Sequence, residues 1–446
     1  MWNSESGWSG QPWPLKMHPD EIEKAKPLQK AAMPADQAPH LPSTFNRLAW
    51  SNLAAQSAEQ IALAAAPIVA VLALGIGEGE SGLLQTALTL PFVVFAIPAG
   101  LLADRFPRRW LMAGAEAVRA LALFVILLSI WFDLLTLPLL AILGFIAVCG
   151  TVAYSVAAPA LVPSLVTPND LPAANARIEL ARTIAFAGGP AIGGFLVGWL
   201  GAAPAFGCAA ALSAIAVVLL SGISEPAREP AARRRPLQEI REGAAFVLRH
   251  PLLRPLFITQ FIFNTAWILM LAVFVPYAVR HLGLSASGVG TTLSMFGVGM
   301  VAGALLATRV MRHLAFGVVI ALGPVAGFVA AAIMALTILV ASPWLAGLSF
   351  FLLGAGPILW VISTTTLRQS VTPPRLLGRV SAINITSYGA RPFGAALGAL
   401  VGGIYGAEAC LYLALVIFAA QALVILVSPA VALARQPEMV SEAAKA

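Results

Sequence analysis

Glu59 is the residue around which chemistry would centre, because it stands in a stretch, residues 45–75, whose only other charge is Arg47. Asn52, Gln56 and Gln60 lie on its face, spaced along the stripe by three to four residues, so in a helix they form one polar stripe on an otherwise apolar element. An ionised carboxylate in the middle of a bilayer costs about 2.5–3.5 kcal/mol even on the lenient insertion scale. Such a group must therefore face an aqueous cavity, find a partner or carry a proton, and a carboxyl that alternates between these states exchanges protons. The competing reading of the same residue is a structural hydrogen bond between helices. Further stripes at helical spacing are Gln260, Asn264 and Trp267; Thr151, Tyr154 and Ser155; and Asn384, Tyr388 and Arg391. Arg391 is a candidate counter-ion for Glu59 or for an anionic substrate. For each neutral stripe, glue between helices is as good an explanation as substrate contact.

The elements that position these residues are membrane spans. The chain has 446 residues, 59% of them hydrophobic and only 11% charged, whereas soluble chains carry about 25% charged residues. A span needs roughly twenty mainly apolar residues to cross about 30 Å. That template matches near 45–75, 82–103, 110–132, 136–163, 171–200 and 204–222. It matches again near 253–280, 286–308, 315–340, 343–367, 376–405 and 408–428. The expected fold is therefore an all-α integral membrane protein, with about twelve transmembrane helices in two pseudo-symmetric six-helix halves, 45–222 and 253–428. Residues 223–252 read as a charged linker with a surface helix. Residues 1–44 and 429–446 read as polar tails, and the first has no apolar core behind a basic start, so it is not a secretory signal.

Basic residues occupy alternate connections: Arg105, Arg108 and Arg109, the 228–249 cluster, Arg309 and Arg312, then Arg368 and Arg375. The other connections carry Glu78, Glu80, Asp133 and Glu408 against a single Arg280. By the positive-inside rule both termini are cytosolic and the protein sits in the inner membrane. The same rule accounts for the net charge of +7 without nucleic acid. Cys149, Cys208 and Cys410 fall in or beside apolar stretches at unrelated spacings and imply no disulfide or metal framework.

The halves repeat. Thr167-Pro168-Asn169-Asp170-Leu171 recurs as Thr372-Pro373-Pro374-Arg375-Leu376. At the same offset of about 205, Gly189, Gly193, Gly198 and Gly201 meet Gly394, Gly398, Gly403 and Gly406. In each copy the Thr is placed to cap a helix and the following Pro to open it.

Two halves, a basic linker and Gly-Leu-Leu-Ala-Asp-Arg-Phe-Pro-Arg-Arg between the second and third spans together resemble the major facilitator superfamily. Gly100, Asp104, Arg105, Arg108 and Arg109 fall on that superfamily's loop signature, with Pro107 where a Gly is common. The resemblance implies a conformational latch in which Asp104 lies against the positive N-terminal end of the eleventh span, where Arg375 and Arg379 follow. Gly189-Pro190-Ala191-Ile192-Gly193-Gly194 resembles the exporter-type helix motif, with Ala176 and Ala185 in place of its upstream glycines. Close helix approach is the physical content of Gly189, Gly193 and Gly194, and Pro190 removes one backbone hydrogen bond. The segments around Asn46 and Leu171–Ala176 resemble the branch of siderophore exporters and macrolide efflux proteins. That branch often has an acidic residue near position 55, which is Ala55 here. The fourth span lacks the Arg that several proton-coupled exporters carry there.

These readings imply a secondary transporter that exports an amphipathic drug, siderophore or related metabolite by proton antiport, working as a monomer with a small-molecule substrate and the lipid bilayer as partners. The alternatives are proton-linked uptake or lipid-type substrate movement, and a non-transporting receptor or assembly factor. No Gly-x-x-x-x-Gly-Lys loop, paired-His metal site or nucleophile elbow is present, so no enzyme activity, metal or cofactor is expected beyond a proton gradient. Glu116 with Arg119 and Glu179 with Arg182 read as local i, i+3 pairs near span ends.

Overall fold

The computed structural model describes residues 41–167, 170–225 and 236–437, and its regular elements there are helices. Ten of them are long and apolar enough to cross a membrane. The remaining spans differ from simple rods in two places. The second span is built from Glu78–Thr89, Pro91–Val94 and Ala96–Arg105, interrupted where Pro91 and the neighbourhood of Phe95 break the regular ladder. The eleventh and twelfth spans share one continuous assignment, Ala390–Leu426, inside which Gly406 turns the chain at φ 81° and ψ 176°.

The other spans are Ser43–Leu74, Arg108–Trp131, Leu137–Leu165, Leu171–Leu200 and Ala202–Ser221 in the first half. In the second they are Leu253–Arg280, Ala286–His313, Phe316–Leu336 and Pro343–Val371, and the eleventh opens with Pro374–Thr386. Between the halves lies the helix Pro236–Arg249. Prolines 67, 159, 163, 190, 276, 324 and 357 sit inside these helices. Neighbouring helices in a membrane protein re-satisfy the backbone groups that such prolines free.

The sequence repeat reappears as a repeat of contacts. Gly189 faces Gln60, and 205 residues later Gly394 faces Thr265. Gly193 lies against Ile61 and Ala64, while Gly398 lies against Leu269 and Ala272. Gly198 abuts Ser287, and Gly403 abuts Gly79. Gly201 and Gly406 close the series with matching positive φ values of 90° and 81°. Each half thus packs its fifth helix on its own first helix and on one helix of the opposite half. A Cβ at Gly189, Gly193, Gly394 or Gly398 would fall within 3 Å of the facing helix, whereas Gly201 and Gly406 have open space and are required by their positive φ.

The helix starts are corrected by the structure. The fifth span begins at Leu171, and Thr167 Oγ1 donates to Asp170 Oδ2 at 2.7 Å instead of capping a helix N–H. The eleventh begins at Pro374 rather than Pro373. A residue that precedes proline is driven out of the helical region, so Pro373 cannot be helical before Pro374.

Candidate functional site

The halves are locked together at the face that carries Glu78 and Arg280. There the fifth span meets the eighth, with a Cβ at Gly194 falling 2.7 Å from Gly290 Cα. The second span meets the eleventh likewise, a Cβ at Gly79 falling 2.9 Å from Gly403 Cα. Arg280 of the seventh span donates to Glu78 Oε1 at 3.1 Å and to the Ile76 carbonyl at 2.7 Å, which ties the halves electrostatically. Ser81 adds a 2.7 Å bond to the Ala272 carbonyl. Tyr388 keeps 37% of its surface exposed and the Glu179 side chain 53%.

Glu59 is half-buried on the first span and lines a small pocket inside the first half. Arg119 and Thr151 line the same pocket, and Leu63, Leu123 and Phe206 supply apolar wall. Arg119 organises the polar side. It pairs with Glu116 at 2.8 Å and donates to Thr151 Oγ1 at 2.6 Å and to the Ala55 carbonyl at 3.1 Å. The i, i+3 pair expected from the sequence forms, but Glu116 is 0% exposed and Arg119 3%, so it is a buried ion pair that joins the first, third and fourth spans. Arg119 brings a guanidinium to the fourth span, which has none of its own. Its link to position 55 runs through a backbone carbonyl, which no side-chain pattern reveals. The Glu179–Arg182 pair is partly exposed.

The remaining first-span residues divide. Asn52 is buried and donates to the Ile178 carbonyl at 3.3 Å, Gln60 is buried against Gly189, and Gln56 is half-buried. Asn52 and Gln60 thus fasten the first span to the fifth and do not line the pocket around Glu59. Tyr154 is 3% exposed and packs in the core with Phe45 and Met112.

The second half gathers a different group. Arg391 Nε donates to Asn264 Oδ1 at 3.1 Å, and its guanidinium stacks over Tyr388 at 4.3 Å and over Phe92 of the second span at 5.0 Å. Its charge and that of Glu59 act on one another, but no ion pair joins them among the described residues. Asn264 Nδ2 donates to the Gln260 carbonyl at 2.9 Å, and Gln260 Oε1 accepts from Trp360 Nε1 at 2.9 Å. Trp267 stacks on Phe296 at 4.9 Å and meets Phe350 edge-on. Trp360, Thr364 and Arg368 of the tenth span stand four residues apart and line one pocket; Arg368 reads in the sequence as a connection residue, and the structure places it inside the helix Pro343–Val371.

In the loop motif, Gly100 has open space around it and Arg105 is exposed. Arg109 donates to the Ile223 carbonyl at 2.6 Å, and the Glu225 carboxylate accepts from the backbone N–H of Arg108 and Arg109. A carboxylate at that helix start complements its dipole. The side chains of Asp104 and Arg375, the expected latch partners, lie outside the described residues. In the helix motif, Gly189 and Gly193 face the first span, while Gly194 and the Pro190 carbonyl face Gly290 of the eighth.

Among proteins of known sequence, the chain is 32% identical over 256 residues to an uncharacterized MFS-type transporter, y4rN, of Sinorhizobium fredii, covering 54% of this chain and 60% of that one. It is 26% identical over 315 residues to the enterobactin exporter EntS of Escherichia coli, covering 68% of this chain and 72% of the relative. The fold is that of a solved POT family transporter, with TM-score 0.69 over 87% of this chain and 97% of the other at 14% identity. A model of the Major Facilitator Superfamily matches residues 48–391. The chain belongs to that superfamily: a multi-pass, all-α membrane transporter and not an enzyme.

Proposed function

We propose that this transporter exports an amphipathic small molecule, a drug, siderophore or related metabolite, across the inner membrane by proton antiport. The observation that carries the reading is Glu59, a carboxylate inside the first half that faces a pocket with Arg119 and Thr151 and forms no ion pair among the described residues. A half-buried carboxylate with a cavity in front of it has two accessible charge states, as a proton-coupling group requires. Similarity to an exporter supports the direction. In this reading the arginine-rich face and both termini are cytosolic, and the two halves rock about the site between them, so that the locked face opens and closes in each cycle. The monomer contains the whole pathway.

The test is uptake into inverted membrane vesicles of a panel of drugs and siderophores, with and without an imposed proton gradient. Gradient-dependent accumulation of at least one compound is expected. Accumulation in right-side-out vesicles alone would reverse the direction, and none in either would remove the export reading.

A further inference from the structure

The second half is short of negative charge in a way that its basic residues make consequential. Across residues 253–428 the only acidic residue is Glu408, two positions past the Gly406 turn at the locked face. Arg280 obtains its counter-charge from Glu78 of the other half, and Arg379 pairs with Glu242 of the linker helix. The hydrogen-bond and ring partners of Arg368 and Arg391 are neutral, and no ion pair is formed by either among the described residues. Arg368 donates to Thr365 Oγ1 at 3.3 Å, and Arg391 has Asn264 and two aromatic rings. Cation–π contact offsets part of the desolvation of such a group, but a partly buried guanidinium without a counter-ion is costly and attracts an anion.

The two arginines form one site. Tyr388, 37% exposed, lies against the Arg391 guanidinium at 4.3 Å. A hydrogen-bonded line runs from Arg391 through Asn264 and Gln260 to Trp360. Trp360 and Arg368 line one small pocket, with Asn384 as a further polar group and Leu256, Phe257 and Val380 as apolar wall. Apolar wall with a few convergent polar groups is the lining chemistry of an organic-ligand site, and the planar fork of arginine matches a carboxylate or similar oxyanion.

Resting on the small-molecule transporter reading above, we propose that Arg368 and Arg391 form the substrate site and that the substrate is an amphipathic organic anion. Its charged group sits between the two guanidiniums and its apolar body lies in the pocket beside Trp360. Glu59 and the pocket around it are left for the proton, so the two halves divide the labour.

The full-length protein in a neutral detergent tests this by equilibrium dialysis with 1-naphthoate, 1-naphthamide and 1-naphthylmethylammonium. Naphthoate should bind saturably, and the amide and the ammonium at least about tenfold more weakly. Arg368→Gln and Arg391→Gln should each weaken naphthoate by about tenfold to a hundredfold, the loss of one charge-assisted contact, with partial recovery in Arg391→Lys. Equal binding of all three probes, absence of saturable naphthoate binding, or wild-type affinity in both Gln variants would overturn the proposal. The comparison of probes on the unaltered protein needs no variant to fold. Intact naphthoate binding alongside absent vesicle transport would overturn the export reading and leave this site standing.

Discussion

Glu59→Gln keeps the shape of the side chain and removes its exchangeable charge. The expected outcome is loss of gradient-driven accumulation by about tenfold or more, the size of a typical coupling free energy. Gradient-independent exchange of labelled for unlabelled substrate should persist. Equal gradient dependence in the variant and the parent would return Glu59 to a structural role. Arg119 makes a different prediction. Arg119→Met strands the fully buried Glu116 and should lower stability by about 3–5 kcal/mol, the usual cost of an orphaned buried charge. The double variant Glu116→Leu with Arg119→Met should recover most of that loss in thermal unfolding of the detergent-solubilised protein. Glu59 stands out in the sequence because it is a lone acid in an apolar run. The importance of Arg119 does not, because i, i+3 spacing with Glu116 looks the same whether that face meets water or two other helices.

At the scale of the element, the fifth span acts as a wedge with two faces. Gly189 and Gly193 admit the first span, and Gly194 and Gly198 admit the eighth. Gly194→Val places a methyl group against the Ala286 carbonyl and Gly290 Cα, so the locked face cannot close. Transport should fall at least about tenfold, since a closed state is required in each cycle, and a cysteine at Ser287 should react faster with a membrane-impermeant thiol reagent. Gly188→Ala is the control, because its Cβ meets only the Ile192 side chain at 3.9 Å, and it should be silent in both measurements. The glycine spacing and its recurrence after 205 residues are legible in the sequence. Which face meets which helix is not, since a glycine carries no mark of its neighbour.

For the whole molecule, the contact that ties the halves is Arg280 with Glu78. The pair is partly exposed, so it is worth at most about 1 kcal/mol, or about fivefold in the balance between conformations. Glu78→Gln should shift that balance toward states open at this face, read as longer distances between spin labels on the fifth and eighth spans. The exchange Glu78→Arg with Arg280→Glu should restore it. An unchanged distance distribution in Glu78→Gln would show that glycine packing alone holds the face.

The sequence by itself determined the class, the spans and the internal repeat, because each rests on composition over about twenty consecutive residues or on an offset that can be counted. It also marked Glu59 and Arg391 as charges out of place. The tertiary structure alone decided how these charges are partnered: Arg119 with Glu116, Arg391 with Asn264, Glu78 with Arg280. Successive residues on a helix point about 100° apart, so the partner of a side chain depends on how each span is rotated and tilted against the others. That rotation is set by the summed packing of small residues across the bundle, which no local window contains.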